Sequence, residues 1–405
     1  MRTVLTRRSH STKLLGAAAL LIAGCVAVVA SPQPADAAPT STNFTVGVDS
    51  GVFREFDDVA SDGTKSLAVY SKHSVNDRDH VWAVLMNADG GAPSNPIRID
   101  SHATNAYEPH VAWNGTSFLV VWTHDFNDRG TDLDIRGQLV TASGALIGGE
   151  IPIETSAAKS QYPAVAAGPD GTFEVAYNDS TTSATTANLR VVPLSAGGTV
   201  GSKTTLRTGI GFAANDLVWV SAAQRFVVTY ASSGRAFAVF TAAGAFQGGQ
   251  VISDYESTFP DWPSPTALAT DGSRVLAVFP TFGQVSATWI DLQPISRSDP
   301  FTLPSSSVSG LPDVAFNGVF LVVWAEETQT VPKPEKWALK AARLKSNGTQ
   351  LDTTSSLITD NPNLNLIPAL SRGTSTAGSF TLAWQNGNPG DQAIVFTAGV
   401  KASTK

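Results

Sequence analysis

The stretch Pro109 to Trp122, PHVAWNGTSFLVVW, decides how this chain is read, because near-copies of it return along most of the 405 residues. It joins a short alternating apolar run to a second run ending on an aromatic, through Asn114-Gly115. Asn-Gly supplies the positive φ angles of a two-residue turn, so the stretch predicts a β-hairpin. The copies are DDVASDGTKSLAVY (57 to 70), YPAVAAGPDGTFEVAY (162 to 177), DLVWVSAAQRFVVTY (216 to 230), TALATDGSRVLAVF (266 to 279), PDVAFNGVFLVVW (312 to 324) and the degraded PALSRGTSTAGSFTLAW (368 to 384). Their closing aromatics are Tyr70, Trp122, Tyr177, Tyr230, Phe279, Trp324 and Trp384, at intervals of 52, 55, 53, 49, 45 and 60 residues, which makes seven units.

Each unit has a second half. After Trp122 come a polar loop, the run Asp134 to Val140, a Ser143-Gly144 turn and Glu150 to Glu154; Val81 to Asp100 and Trp337 to Asp360 repeat the plan. Four short strands per unit, A to D, at a period near 50 residues are the sequence signature of a β-propeller blade. The seventh unit ends without a fourth strand, whereas Asn43 to Val48 has strand alternation ahead of the first unit. The expectation is therefore an all-β, seven-bladed propeller over 42–405, its last blade closed by that N-terminal strand against 393–400.

The pairing of P-x-V-A-x-N-G-x-x-F-L-V-V-W with D-I-x-G-Q-x-V resembles a repeat of exported bacterial proteins that is taken to form propeller blades. The second and sixth units carry it best, and Ser221-Ala222-Ala223-Gln224 replaces the Asn-Gly turn in the fourth. The resemblance implies fold and export and no single activity.

The amino terminus agrees with export. Arg2, Arg7, Arg8 and Lys13 precede the apolar run Leu14 to Ala30, and Ala35-Asp36-Ala37 offers a cleavage site, so 1–37 reads as a signal and 38–41 as a short linker. The alternative starts from Ile22-Ala23-Gly24-Cys25, which resembles a lipobox and would anchor the protein at the cell surface through Cys25. No later stretch is long enough to cross a membrane, so the mature domain is not expected to insert. Cys25 is the only cysteine, so thiol chemistry, disulfides and Cys-ligated zinc are excluded after cleavage. Removing 1–37 leaves 23 Lys plus Arg against 33 Asp plus Glu, which argues against nucleic acid as a partner.

In a propeller, the D-to-A and B-to-C connections share one face around the channel mouth. All five mature histidines fall in or near such connections of the first two units: His73, His80, His102, His110 and His124. The position before the repeated Val reads Asp58, His110, Ala164, Leu217, Ala267, Asp313 and Ala369, which puts Asp58, His110 and Asp313 in one polar sector. If the protein is an enzyme, His110 is the candidate base, Tyr107 or His124 the acid, and Asp58 or Asp313 the orienter. Asp125, Asn127, Asp128, Asp132 and Asp134 alternate as oxygen ligands of a calcium loop do, although Arg129 stands at a ligand position. Calcium is thus the one cofactor considered. Trp262 and Tyr255, in the connection into the fifth unit, are candidate ligand contacts.

There is no G-x-S-x-G elbow, H-E-x-x-H or phosphate loop. The leading expectation is a secreted, monomeric propeller that binds an extracellular glycan or protein through its upper-face loops. The alternative is an extracellular polysaccharide lyase or hydrolase with a His/Asp site at the channel mouth.

Overall fold

The repeat hairpin forms because its turn satisfies its own backbone. In a computed structural model of the chain, Asn114 Oδ1 accepts the N–H groups of Thr116 and Ser117 at 2.9 Å each, and Gly115 takes φ +99°. That left-handed angle favours glycine. Asp62 and Asp271 accept two N–H groups apiece in the first and fifth units, beside Gly63 and Gly272 at +92° and +93°. The turn asparagine also reaches across units: Asn114 Nδ2 donates to Gly171 O at 2.6 Å, and Asn317 Nδ2 to Ser379 O at 2.8 Å.

The structure describes residues 37–39, 44–46, 52–74, 78–180, 186–211, 215–253, 266–306, 311–329, 336–361, 365–386 and 394–403. In the second unit, Ala106–Trp113, Phe118–Asp125, Leu133–Val140 and Leu146–Glu154 form an antiparallel meander, strands A to D. The other units follow this order, and one parallel pair, Lys159 with Leu133, joins the second and third. The A strands are Val52–Ser61, Ala106–Trp113, Lys159–Ala167, Leu217–Val220, Ala267–Thr270, Asp313–Phe316 and Asn365–Arg372. Each neighbours the next, and Asn365–Arg372 neighbours Val52–Ser61. Among the described residues the helical content is one 3-10 turn, Pro169–Gly171, and no helix is long and apolar enough to cross a membrane.

Phe44–Val46 pairs antiparallel with Ile394–Lys401, Phe44 opposite Thr397. Ala38–Pro39, expected to be linker, is also a strand on that edge, opposite Lys401 and Val400, because the edge still has backbone groups to pair. Ala37 is buried beside Phe380 and Val400. Cys25 and the rest of the expected signal lie outside the described residues.

The core sits between units. Phe118, Val120 and Trp122 pack with Leu67, Val69 and Val81 of the first unit, while Leu119 and Val121 pack with Val165, Phe173 and Val175 of the third. Strand B is mostly apolar because both of its faces are covered. The closing rings Trp122, Trp324 and Trp384 are fully buried, each contributing roughly 2 to 3 kcal/mol. Trp113 and Trp219 pack tilted against Phe118 and Phe226, and Trp289 meets Phe320 edge-on.

Candidate functional site

Strand register fixes what faces the channel. Asp58 stands opposite Val69, His110 opposite Val121, Ala164 opposite Ala176, Ala267 opposite Val278, Asp313 opposite Val323 and Ala369 opposite Ala383. Each of these partners immediately precedes the closing aromatic. In the fourth unit Leu217 pairs with Val228, so the residue opposite Thr229 is Asp216, not the expected Leu217. The reason is one further strand pair in this hairpin, Val220 with Arg225, together with Leu217 in place of the usual Val, which shifted the apparent alignment by one. The carboxylates therefore belong to the first, fourth and sixth units and do not form one sector.

All three make the same joint. Asp58 accepts Val59 N at 2.7 Å and, from the next unit, Val111 N at 2.9 Å. Asp216 accepts Leu217 N and Leu268 N at 2.6 Å each, and Asp313 accepts Val314 N at 2.8 Å and Leu370 N at 2.6 Å. One oxygen holds the residue's own strand and the other holds the neighbour's.

His110 Nδ1 lies 3.5 Å from Asp58 Oδ2, and the two side chains keep 26 % and 27 % of their surface open to the channel. Enclosure opposes a charged imidazole, but Asp58, then Asp216 and Glu108, outweigh it and push His110 above its ordinary value. Enclosure pushes Asp216 up to about 7; the N–H groups of Leu268 and Leu217 oppose the rise and Asp58 adds to it. Asp313 is pushed up to about 8 by the same enclosure, opposed by Leu370 N–H and reinforced by Asp216 and Asp58. The wall thus favours the charged imidazole beside Asp58 and draws two carboxyls up toward neutrality.

Above the channel, strand A bulges between Tyr107 and His110 and between Gln161 and Ala164. The bulge residues Glu108 and Tyr162 have φ 57° and 56°, and each precedes a proline, as does Ile367 at 50° in the last unit. Glu108 Oε2 accepts Thr123 Oγ1–H at 2.8 Å and Tyr162 N–H at 3.1 Å, tying the second unit to the third. Burial, with Glu108 and Asp125 nearby, raises the Tyr107 phenol far enough that it remains a donor. Neither Tyr107 nor His124 contacts His110 among the described residues, so the expected acid and base do not meet.

The rim gathers three of the histidines. His124, almost wholly buried, stacks on His102 with ring centroids 4.3 Å apart. Its Nε2 is 2.7 Å from Thr104 Oγ1, and Nδ1 faces Asp134 at 3.8 Å, too far for a hydrogen bond. His102 Nε2 is 2.8 Å from Glu150, whose other oxygen accepts from Ser101. His80 lies 2.9 Å from the buried Asp100, and Arg98 closes the group through His80, Asp100 and the His102 carbonyl. Sequence reasoning missed Asp100, Glu150 and Arg98, because such pairings carry no periodic signal. The backbone of His73 lies in Lys65–Ser74, opposite Phe53; its side chain, like Tyr255 and Trp262, is outside the described residues.

The loop read for calcium spends its oxygens on itself. Asp125 accepts Arg129 N and Gly130 N at 3.2 and 2.8 Å, Asn127 accepts Arg129 N, and Asp128 accepts Asn105 N and pairs with Arg78 at 3.0 Å. Asp134 holds Arg136 at 3.0 Å. Asp132 is half-buried. Among the described residues, no three His, Cys, Asp or Glu side chains converge as a metal-binding group.

No protein-family model matches the chain, and no curated protein matches its sequence. Solved structures do match in fold. The BP39L lectin from Burkholderia pseudomallei superposes with a TM-score of 0.54 at 12% identity, over 87% of this chain and 96% of the lectin. The K499G mutant of the NanB sialidase from Streptococcus pneumoniae gives 0.53 at 9% identity, over 88% and 70%. The fold is a β-propeller. A third similar structure is the polysaccharide lyase Uly1, at 0.51 and 8% identity over 85% of this chain and 89% of the lyase. At such identities the likeness carries the propeller's architecture and none of its chemistry.

Proposed function

We propose that this chain is an exported, seven-bladed β-propeller, its last blade closed by the N-terminal strand, that binds an extracellular glycan through the B-to-C and D-to-A loops. The succession of A strands that returns from Asn365–Arg372 to Val52–Ser61 supports the ring, and Phe44–Val46 on Ile394–Lys401 supports the closure. Export rests on the signal-like 1–37, with lipid anchorage through Cys25 as the alternative, and membership of the exported repeat family rests on the quoted motif. A glycan ligand is favoured because fold neighbours include a lectin, a sialidase and a polysaccharide lyase.

One observation favours binding over catalysis: the acid-base candidates are already committed. Asp58, Asp216 and Asp313 hold pairs of backbone N–H groups, His110 leans on Asp58, and His80 and His102 are matched to Asp100 and Glu150. A carboxylate whose two oxygens both hold backbone N–H groups is spent on joining strands. The test is affinity electrophoresis of the mature protein through gels containing soluble xylan, β-glucan, mannan or dextran. Retardation by one of them is expected; unretarded migration in all, with turnover of any of them, overturns the binding reading.

The enzyme reading keeps one observation of its own, the proton affinities of His110, Asp216 and Asp313 drawn toward neutrality in a solvent-reached channel. In it, His110 is the general base, with Asp58 as its orienter at 3.5 Å. Any turnover that survives His110→Ala unchanged removes this version.

A further inference from the structure

The first described residues of the chain belong to the fold. Ala37 keeps 2% of its surface exposed and sits in an apolar seam with Leu321 and Leu339 of the sixth unit and Leu382 and Val400 of the seventh. Ala38–Pro39 follows at once as a strand opposite Lys401 and Val400, and it also neighbours Ser356–Asn361. The edge it joins is itself fixed. Ala402 N donates to Gly378 O at 2.8 Å, and Arg343, paired with the buried Asp352, donates to Ser403 O at 3.0 Å.

This placement conflicts with cleavage after Ala37. The bond between Ala37 and Ala38 joins a core residue to a strand of the closing edge, whereas proteolysis favours exposed backbone that is not paired. Cutting it would have to precede closure and would then weaken it. Ala37 would be lost from the seam, and a charged α-ammonium would stand next to apolar neighbours. The sequence offers another bond. The apolar run Leu14 to Ala30 ends on Val28-Val29-Ala30, and Ser31 and Pro32 follow. Ala30 supplies the small residue that precedes a signal cleavage site, with the compact Val28 two positions before it. From there, Ser31 to Asp36 reads SPQPAD, polar and rich in proline. Six residues extend up to about 20 Å, so a cut at Ala30 falls well clear of the seam.

We propose that the export peptidase hydrolyses the bond between Ala30 and Ser31, so that the mature protein begins at Ser31 and keeps Ala37 as a core residue of the closing seam. Water adds across the peptide bond, leaving a carboxylate on Ala30 of the released signal and an α-ammonium on Ser31 of the mature chain. The assignment rests on the export reading and goes beyond it, because it makes Ala37 and the strand after it part of the domain and none of the leader. Lipid anchorage through Cys25 would also spare Ala37, but it would leave the apolar Val26 to Ala30 between the lipid and the domain. A cut at the end of the run removes them.

The test expresses the full chain in a bacterial host and reads the first residue of the product by amino-terminal sequencing and intact mass. A start at Ser31 is expected. Any other first residue, Ala38 and a lipid-modified Cys25 included, overturns the assignment, and a product that keeps Met1 overturns the export reading with it. A second arm does not depend on export. Two proteins made without a signal, one beginning at Ser31 and one at Ala38, are compared by thermal denaturation. The form that lacks Ala37 is expected to melt about 1 to 3 °C lower, since it leaves a gap in the seam. Equal midpoints would remove the physical basis of the assignment while leaving export and glycan binding untouched.

Discussion

The channel wall and the rim are built from the same residue types and use them in opposite ways. On the wall, aspartate recurs at one register position in three units, and each copy accepts an N–H from its own strand and one from the next. At the rim, Asp100, Asp134 and Glu150 occur in one place only and are matched to His80, Arg136 and His102. Recurrence at a fixed register marks a joint between sheets, and a polar group that occurs once is free to differ between proteins of the same fold. The comparison breaks or holds on one substitution. Asp58→Asn keeps the shape but turns an amide N–H toward the N–H of Val59 or Val111. An enclosed donor facing a donor costs about 2 kcal/mol, to be read as a lower midpoint in chemical denaturation. An effect under about 0.5 kcal/mol would show that Asp58 is no joint.

The wall should also set the pH dependence. Asp216 and Asp313 hold protons to about 7 and 8 in the folded protein against an ordinary 3.8. Their contribution is therefore complete below about pH 4 and is lost as pH rises through 7 and 8. His110, raised as well, has the same sign: its contribution is full below its ordinary 6.5 and fades above it. At the acid end Glu154 acts oppositely. Burial would raise it, but Lys203 and Ser156 hold it down at about 2, so its share is lost as pH falls from 4.5 toward 2. Thermal stability should peak near pH 4 to 4.5 and decline from there to about pH 8, with Tm falling by about 2 °C or more. Asp216→Asn with Asp313→Asn should flatten the alkaline side, and a slope left unchanged in that variant would separate the decline from the wall.

What recurs was legible in the sequence, and what pairs across the chain was not. Turns such as Asp62-Gly63 and Asn114-Gly115, with apolar runs after them, announced hairpins and a propeller because their chemistry is local. Asp216 was hidden by an extra strand pair in its hairpin and a leucine in place of valine. Glu108 and Tyr162 carried a signal that went unused, the prolines at 109 and 163 that follow the bulges. Phe282-Gly283 lacks the Asn that marks such turns, so a strained aromatic passed as ordinary sequence. Glu174 reads as an outward polar residue, yet its strand position is that of Leu119 and Val227; it is buried, and burial alone pushes its carboxyl well above the usual range. The partners Asp100 and Glu150 were invisible because each meets its histidine through tertiary folding.

The smallest effect is expected from the matched substitution at the rim. Asp128 pairs with Arg78, which is 52% exposed, and accepts Asn105 N at 2.9 Å. Asp128→Asn retains an oxygen for that N–H and tolerates the left-handed φ of 55°, so only the ion pair is lost. An exposed pair of this kind contributes roughly 0.2 to 1 kcal/mol and is screened by salt. The change in denaturation midpoint should therefore be a fraction of that for Asp58→Asn and should vanish in 1 M salt on the order of a 3 Å screening length. Salt should leave the Asp58→Asn deficit in place, because donors facing each other inside the wall are not relieved by mobile ions. If salt erased both deficits equally, the wall carboxylates would be acting as surface charges, and the distinction between joint and rim would fail at its root.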